Sequence, residues 1–436
     1  MDRSRSPDKE AGLLGQWSLA MLVIASMIGA GVFTTSGFAM ADLGDPRWVM
    51  IAWAIGGGIA ISGAISYGQL ARLLTDNGGE YLFLSRFVHP AVGFVAGWVS
   101  VLAGFTGAAA LAAIAMEAYA IGDEGRPSWL PRGTIAIALV FVCTAAHAFH
   151  TRRGALQHNV LVAVKLTLIG CFVVWAISLW PRWYVAGKAL PPLPDASLLT
   201  MATSVMWISL SYAGFNAAIY VGREAKQGWT DIAGAMLKAT VGVTLLYLLL
   251  NAIMVFAAAP EEITGKQDVA TVAAKAIGGM PLATLVRVAI CLGLASSVSS
   301  TILAGPRVYA KMASDGMLPR WFDSDRSPPT RSVILQGVAI AIVVAFAGLQ
   351  GLLSYLGLTL SLCSAATVAI LLGRRTPRVP MNWVGVIAAW FYVIATSVTI
   401  ALAAYHRPAN LIATLVTIVS GLIVYALTVR RTTASD

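Results

Sequence analysis

A long apolar run near the start of the chain is interrupted at its middle by two glycines. The run extends from about residue 14 to about residue 41, with Gly29 and Gly31 at its centre. Glycine inside a helix costs about 1 kcal/mol relative to alanine, and backbone groups freed within a membrane must be buried in protein or line a cavity. The run therefore predicts either a helix that opens at mid-membrane to bind something, or close helix packing through small residues.

The composition is typical of an integral membrane protein. Hydrophobic residues make up 58% and charged residues 11% of the 436 residues, and the mean hydropathy is +0.77. Soluble domains carry roughly 25% charged residues. No cleavable signal precedes the first apolar run, so we expect that run to be retained as a span. The cysteines lie in apolar runs, which disfavours a disulfide framework.

Apolar stretches of about 20 residues, the length that crosses a bilayer, recur along the chain and predict twelve spans. They cover about 14–41, 48–71, 84–120, 133–150, 156–180, 198–222, 232–258, 281–313, 332–350, 352–373, 382–405 and 409–429. Most Lys and Arg residues fall on the side of the N-terminus, so we expect a multi-pass cell-membrane protein with cytoplasmic tails at 1–13 and 430–436. This asymmetry explains the net charge of +10 without a nucleic-acid partner.

A second interruption lies in the sixth span, at Ser211 to Asn216, where serine, glycine and asparagine are poor helix formers. Because the breaks fall in the first and sixth spans, the two helices must cross in opposite directions. This pattern indicates inverted repeats with a binding site between the broken helices. We expect a transport core at 14–373, with repeats at about 14–180 and 198–373, followed by two further spans at 382–429.

The chemistry of such a site suits an α-amino acid. The N–H groups at Ala30 and Gly31, at the start of a half-helix, would face a carboxylate. Carbonyl groups freed at the end of each preceding half-helix would face an ammonium group. The residues expected to form this site are Met27, Ile28, Ala30, Gly31, Val32, Leu210, Ser211, Ala213 and Gly214.

Lys165 is the only lysine or arginine deep within a predicted span. It lies roughly 14 Å from the nearer end of that span at 1.5 Å per residue. Either its stem snorkels to the surface, or it is functional, as an intramembrane ionisable group is by default. A buried lysine could exchange protons or act as a fixed cation in place of a metal ion.

Other polar residues narrow the substrate class. Among the acidic residues, only Glu117 and Glu224 touch the predicted spans, and both lie near span ends. This disfavours cationic substrates and a carboxylate proton relay. A run in the eighth span could hydrogen-bond the lysine or could serve ordinary helix packing; it comprises Ser296, Ser297, Ser299, Ser300 and Thr301.

Nearly the whole chain resembles the amino acid–polyamine–organocation (APC) superfamily, whose fold is an all-α membrane bundle of the LeuT type with 5+5 inverted repeats and broken helices 1 and 6. The match is closest to bacterial L-type and cationic-type amino acid permeases. The stretches that carry it are Met27 to Phe33, Asn159 with Lys165, Ser211 to Asn216 with Arg223 to Lys226, and Ile302 to Arg307 through Asp315 to Pro319.

The resemblance implies a role for each matching position. The amides of Ala30 and Gly31 would bind the substrate carboxylate, and carbonyls near the breaks its ammonium. Lys165 would replace a sodium ion, bridging Gly29 and a serine of the eighth span such as Ser299 or Ser300. The chain departs from the family at three gate positions, where Leu210 replaces an aromatic residue, Arg223-Glu224 an acidic pair, and Gly228 a proline.

These observations predict a secondary transporter of neutral L-amino acids that works by alternating access, as a proton symporter or a sodium-independent exchanger. A membrane nutrient sensor and an exporter of amino acids or amines remain alternatives. An intramembrane enzyme is disfavoured because the histidines are scattered and no HExxH or Gly-x-Ser-x-Gly motif occurs. A channel is disfavoured because no charged ring or filter repeat occurs. We expect no cofactor, no metal ion and no obligatory protein partner.

Overall fold

The computed structural model describes residues 14–76, 78–122, 125–149, 154–179, 193–318, 330–373 and 381–432. Within these ranges it consists of helices and connecting turns, and its only strand-like contact is an isolated bridge between Leu14 and Ala225. The predicted tail at 1–13, the end of the tail at 433–436, and Pro319 lie outside the described residues.

The described ranges contain fifteen α-helices, labelled in chain order. They are α1 Gln16–Met27, α2 Gly31–Leu43, α3 Pro46–Leu70, α4 Gly79–Phe87, α5 Pro90–Ile121, α6 Thr134–Phe149, α7 Gly154–Ser178, α8 Leu198–Ser211, α9 Trp229–Phe256, α10 Pro260–Ile263, α11 Val269–Ser314, α12 Thr330–Phe346, α13 Leu349–Ala369, α14 Trp383–His406 and α15 Pro408–Thr432. A 3₁₀ helix, Ala217–Glu224, follows α8.

Seven helices in the described part of the chain are long and apolar enough to cross a membrane, and the bent pair α1 and α2 raises the number to eight. The seven are α3, α5, α9, α11, α13, α14 and α15. Such lengths match the roughly 30 Å hydrocarbon core of a bilayer. The prediction of an all-α integral membrane protein is therefore confirmed.

Two boundaries differ from the sequence prediction. The expected third span begins at about residue 84, but the chain forms the separate helix α4 and restarts at Pro90, where the His89 side chain accepts a hydrogen bond from the Ala91 N–H at 3.1 Å. Proline is favoured in the first turn of a helix and ends the preceding one. The eighth span, predicted at about 281–313, is preceded within the same helix α11 by residues 269–277, with a kink at Gly279, whose φ is +67°.

The core of the bundle surrounds the two interrupted helices. Trp53 of α3, Trp207 of α8 and Tyr247 of α9 are fully buried beside α1 and α2. By contrast, α14 and α15 expose most of their apolar surface. The interrupted segments therefore lie inside the protein, where surrounding side chains can satisfy freed backbone groups.

Candidate functional site

The first predicted break is present between α1 and α2. Ile28 is extended, with φ −75° and ψ 92°, and the two helices are inclined by 43° to each other. Ile28 and Ala30 are buried. The first turn of α2 leaves N–H groups without acceptors inside the helix, so the positive end of a helix lies within the protein.

The second predicted break follows α8. The chain leaves the helix at Ser211, turns through Gly214, and resumes as the 3₁₀ helix at Ala217. Gly214 has a backbone φ of +101°, a conformation that residues with a side chain rarely adopt. A Cβ atom there would lie 2.8 Å from the Ser26 carbonyl oxygen, so glycine permits this turn to pack directly on α1.

The two breaks meet at Gly31 and Ser211. A Cβ atom on Gly31 would lie 2.3 Å from Ser211 Oγ and 2.9 Å from Ser211 Cα. The Thr35 and Ser211 hydroxyl oxygens lie 3.3 Å apart. The structure therefore brings together the two segments that the sequence singled out, and close packing is one of the functions of Gly31.

Tyr247 of α9, which the sequence analysis missed, lies within hydrogen-bond distance of both breaks. Its hydroxyl oxygen lies 2.7 Å from the Met27 carbonyl oxygen and 3.2 Å from that of Ser211, so it can donate to either. The signal was present in the sequence, because Thr240, Thr244, Tyr247 and Asn251 recur at helical spacing on one face of an apolar span.

Lys165 contacts the first break. Its ammonium group donates a hydrogen bond to the Ile28 carbonyl, and its side chain is only 6% exposed. The snorkelling alternative is therefore wrong. Gly293 of α11 makes room for the lysine stem, since a Cβ there would lie 3.0 Å from Lys165 Cδ.

A small cavity adjoins Lys165, between α1, α2, α7 and α11. Gly29 lines it, as do Ile28, Phe33, Ile169, Gly293 and Ser297. The lysine thus donates to Ile28 rather than to Gly29, although Gly29 borders the same space. The side chain of Asn159, the other matching residue in this span, is outside the described part of α7.

The two serines predicted beside the lysine have other partners. Ser299 Oγ lies 2.8 Å from His147 Nε2, and the Ser300 hydroxyl donates to the Ser296 carbonyl at 2.8 Å. It is Ser297 that shares the cavity with Lys165. Which serine faces the lysine depends on the rotation of α11, which a run of serines does not specify.

The other predicted binding groups are buried or already paired. Val32 is fully buried, and the Leu210 carbonyl accepts from the Ala213 N–H at 3.0 Å. Lys165 donates to Ile28, and the Tyr247 hydroxyl can donate to Met27 or to Ser211. Protein donors therefore reach four of the five carbonyl groups expected to bind an ammonium group, all but that of Ala213. A ligand ammonium would therefore have to compete with these donors.

A buried carboxylate was overlooked because it lies outside the predicted spans. Glu80 of α4 is 5% exposed, and its Oε1 accepts hydrogen bonds from Tyr67, Asn216 and Ser364. The sequence analysis had considered only Glu117 and Glu224, the acidic residues that touch the predicted spans.

Arg223, Glu224 and Gly228, which differ from the residues of the resembled family, have defined contacts or conformations in the structure. Arg223 forms an ion pair with Asp76 at 2.8 Å, and the Glu224 carbonyl accepts from the Leu14 N–H at 2.8 Å. Gly228 has a φ of +59° and begins α9. A proline, whose φ is fixed near −65°, could not adopt this conformation.

No metal centre was found in the described ranges, because no three His, Cys, Asp or Glu side chains lie close enough together to hold an ion.

Comparison with known proteins agrees with this architecture. A family model described as "Amino acid permease" matches residues 14–428. Relatives include the serine/threonine exchanger SteT of Bacillus subtilis, 26% identical over 79% of this chain and 77% of the relative. Human large neutral amino acids transporter small subunit 2 is 21% identical over 85% of this chain and 71% of the relative. Mouse b(0,+)-type amino acid transporter 1 is 22% identical over 86% of this chain and 78% of the relative. These relatives are transporters rather than enzymes, and the chain belongs to the amino acid permease family of the APC superfamily.

Proposed function

We propose that this protein is a secondary transporter of neutral L-amino acids that works by alternating access. The observation that carries the proposal is the buried contact between the two helix breaks at Gly31 and Ser211. Half-helix ends that meet inside a membrane protein offer N–H groups and carbonyl groups to one small zwitterion. The printed names of the relatives, which refer to serine, threonine and large neutral amino acids, support this substrate class.

In the proposed site, the amides of Ala30 and Gly31 bind the substrate carboxylate. The ammonium group is bound by the carbonyls of Met27, Ile28, Leu210, Ser211 and Ala213. Val32 and Gly214 line the rest of the site. Tyr247 and Lys165 already donate hydrogen bonds to carbonyl groups of this site. The substrate ammonium group either replaces these donors or shares the carbonyl oxygens with them. Among the described hydrogen bonds, no carboxylate contacts a residue of this proposed site, and Glu80 reaches the second break only at Asn216. This favours neutral over cationic side chains.

Lys165 is the proposed coupling residue. A fixed ammonium on the Ile28 carbonyl supplies the positive charge that a sodium ion would otherwise bring to the break. Transport is then independent of sodium, by exchange or with protons. Gly29 borders the same cavity, so a change at Lys165 would act directly on the first break.

We further propose twelve spans with inverted repeats at 14–180 and 198–373 and a peripheral pair at 382–429. Four shorter apolar helices complete the eight longer spans: Thr134–Ala148, Ala163–Ser178, Leu198–Ser211 and Thr330–Phe346. Both termini are placed in the cytoplasm of a cell-membrane protein by the positive-inside rule.

Reconstitution of the purified chain alone into liposomes tests the proposal. Radiolabelled L-serine, L-threonine and L-leucine are offered with and without internal unlabelled amino acid, a pH gradient and sodium. We expect saturable, sodium-independent uptake, with protein-free liposomes as the control. Binding without uptake would favour a sensor, efflux without uptake an exporter, and activity only after addition of a second protein would refute the absence of an obligatory partner.

A further inference from the structure

Four elements of the fold meet at the carboxyl group of Glu80. The residue lies in α4, which has nine residues and is too short to span a membrane. Its Oε1 accepts hydrogen bonds from Tyr67 of α3 at 2.5 Å, from Asn216 at the second break at 3.1 Å, and from Ser364 of α13 at 2.8 Å. A single oxygen atom therefore holds three separate segments of the chain on α4.

The groups that face Glu80 are neutral near pH 7. Besides its hydrogen-bond partners, they are Tyr220 of the 3₁₀ helix, Cys363 of α13 and Tyr392 of α14. Asp76 and Arg86, the charged residues that flank Glu80 in sequence, pair with each other at 3.5 Å, and Asp76 also pairs with Arg223 at 2.8 Å.

Burial and hydrogen bonding act on the pKa of Glu80 in opposite directions. Burial raises the pKa of Glu80, the hydrogen bonds from Tyr67 and Ser364 lower it, and the pKa stays above its ordinary value. A raised pKa means that the packed arrangement binds the proton more tightly than water-exposed glutamate does. The stability that the bound proton gives to this packing is therefore complete below the ordinary pKa of glutamate and is lost as the pH rises through the raised pKa.

The second break cannot move without disturbing this cluster. Asn216 is the last residue before the 3₁₀ helix. Gly79, with a φ of +58°, lies directly under Tyr220, since a Cβ there would be 2.2 Å from the ring. Separating α4 from this segment would admit water to Glu80, and water favours the charged carboxylate.

We propose that Glu80 is a proton-binding residue of the transport cycle, which rests on the proposed function. The protonated side chain belongs to the packed arrangement around Asn216. When α4 and the second break separate, the O–H bond of the acid breaks, the proton passes to entering water, and the carboxylate remains. Return to the packed arrangement takes up one proton, so the position of the second break is linked to the protonation of one side chain.

Infrared spectroscopy tests proton binding without any transport. The C=O stretch of a protonated carboxyl is followed against pH in the purified full chain, and the Glu80→Gln spectrum is subtracted. We expect a band that disappears at a midpoint above 4.5, the ordinary value, and that remains in the matched surface variant Glu261→Gln. A midpoint at or below 4.5, or no such band, would overturn the proposal.

Ser364→Ala provides a second variant in case Glu80→Gln fails to fold. It removes one hydrogen bond that favours the carboxylate, so the midpoint of the Glu80 band should rise. An unchanged or lower midpoint would contradict the assigned geometry.

The link to movement is tested in liposomes with equal pH on both sides and labelled L-threonine. Glu80→Gln mimics the acid and should flatten the pH profile and lower the maximal rate by about tenfold, with KM changed by less than about twofold. Glu80→Asp should keep a pH-dependent rate. A wild-type profile and rate in Glu80→Gln would refute the link, whereas absence of uptake by the wild type would refute the proposed function and leave the infrared result to decide proton binding.

Discussion

Two side chains from other helices supply donors to the carbonyl groups that the first break leaves free. Lys165 donates to Ile28, and the Tyr247 hydroxyl lies within reach of Met27 and Ser211. A buried carbonyl without a partner costs about 1–3 kcal/mol. At the scale of single residues, these two side chains are therefore what allows the helix to be interrupted in this conformation.

Lys165→Ala should abolish saturable amino acid uptake between about pH 5 and pH 8. The change removes both the donor to Ile28 and a charge beside the break, and a charge at that position is not replaced by solvent. Uptake in liposomes is the measurement, and Lys275→Ala, which removes an exposed lysine, is the matched control. Uptake with the wild-type rate and pH profile in Lys165→Ala would refute the coupling role.

Tyr247→Phe should lower the free energy of unfolding by about 1–3 kcal/mol, because it deletes one hydroxyl and leaves a buried carbonyl unsatisfied. Thermal unfolding in detergent measures the change. Tyr405→Phe is the control, since Tyr405 is 79% exposed. Equal stability of the two variants would show that the hydroxyl of Tyr247 does not hold the breaks together.

At the scale of elements, the broken helices are held in register by close backbone contacts. Gly31 packs closely against Ser211, and Gly214 packs closely against Ser26. The sequence alone left Gly29 and Gly31 open between close packing and a binding site. The structure shows close packing at Gly31, whereas a Cβ at Gly29 would meet only the Met27 carbonyl oxygen, at 3.9 Å. The two interpretations are compatible, since each contact brings a half-helix end next to the other break.

Gly31→Leu should eliminate substrate binding because its side chain would occupy the position of Ser211 and push the breaks apart. Equilibrium binding of labelled L-threonine and L-leucine to purified protein is the measurement. Gly58→Leu is a control of equal size, because a Cβ at Gly58 meets nothing within 4 Å. Normal affinity in Gly31→Leu would exclude the proposed position of the carboxylate site.

At the scale of the whole molecule, the proposed topology places opposite ends of the bundle on opposite sides of the membrane. Ser128 lies in the connection before α6, and Thr230 lies at the start of α9; both are exposed. In a chain without its native cysteines, Ser128→Cys should react with an impermeant maleimide on intact cells. Thr230→Cys should react only after permeabilisation. The reverse result would invert the orientation, and equal labelling would contradict the span assignment.

The sequence by itself determined that the chain is a helical membrane protein, which two segments interrupt its helices and that Lys165 lies deep within a predicted span. These features follow from local rules, because lipid requires apolar spans and glycine-rich or polar segments weaken a helix at the place where they occur. Only the tertiary structure decided that Tyr247 lies over both breaks, that Ser297 rather than Ser299 or Ser300 lines the lysine cavity, and that Glu80 is buried. Those outcomes depend on helix rotation and on contacts between segments far apart in sequence, which no local pattern specifies.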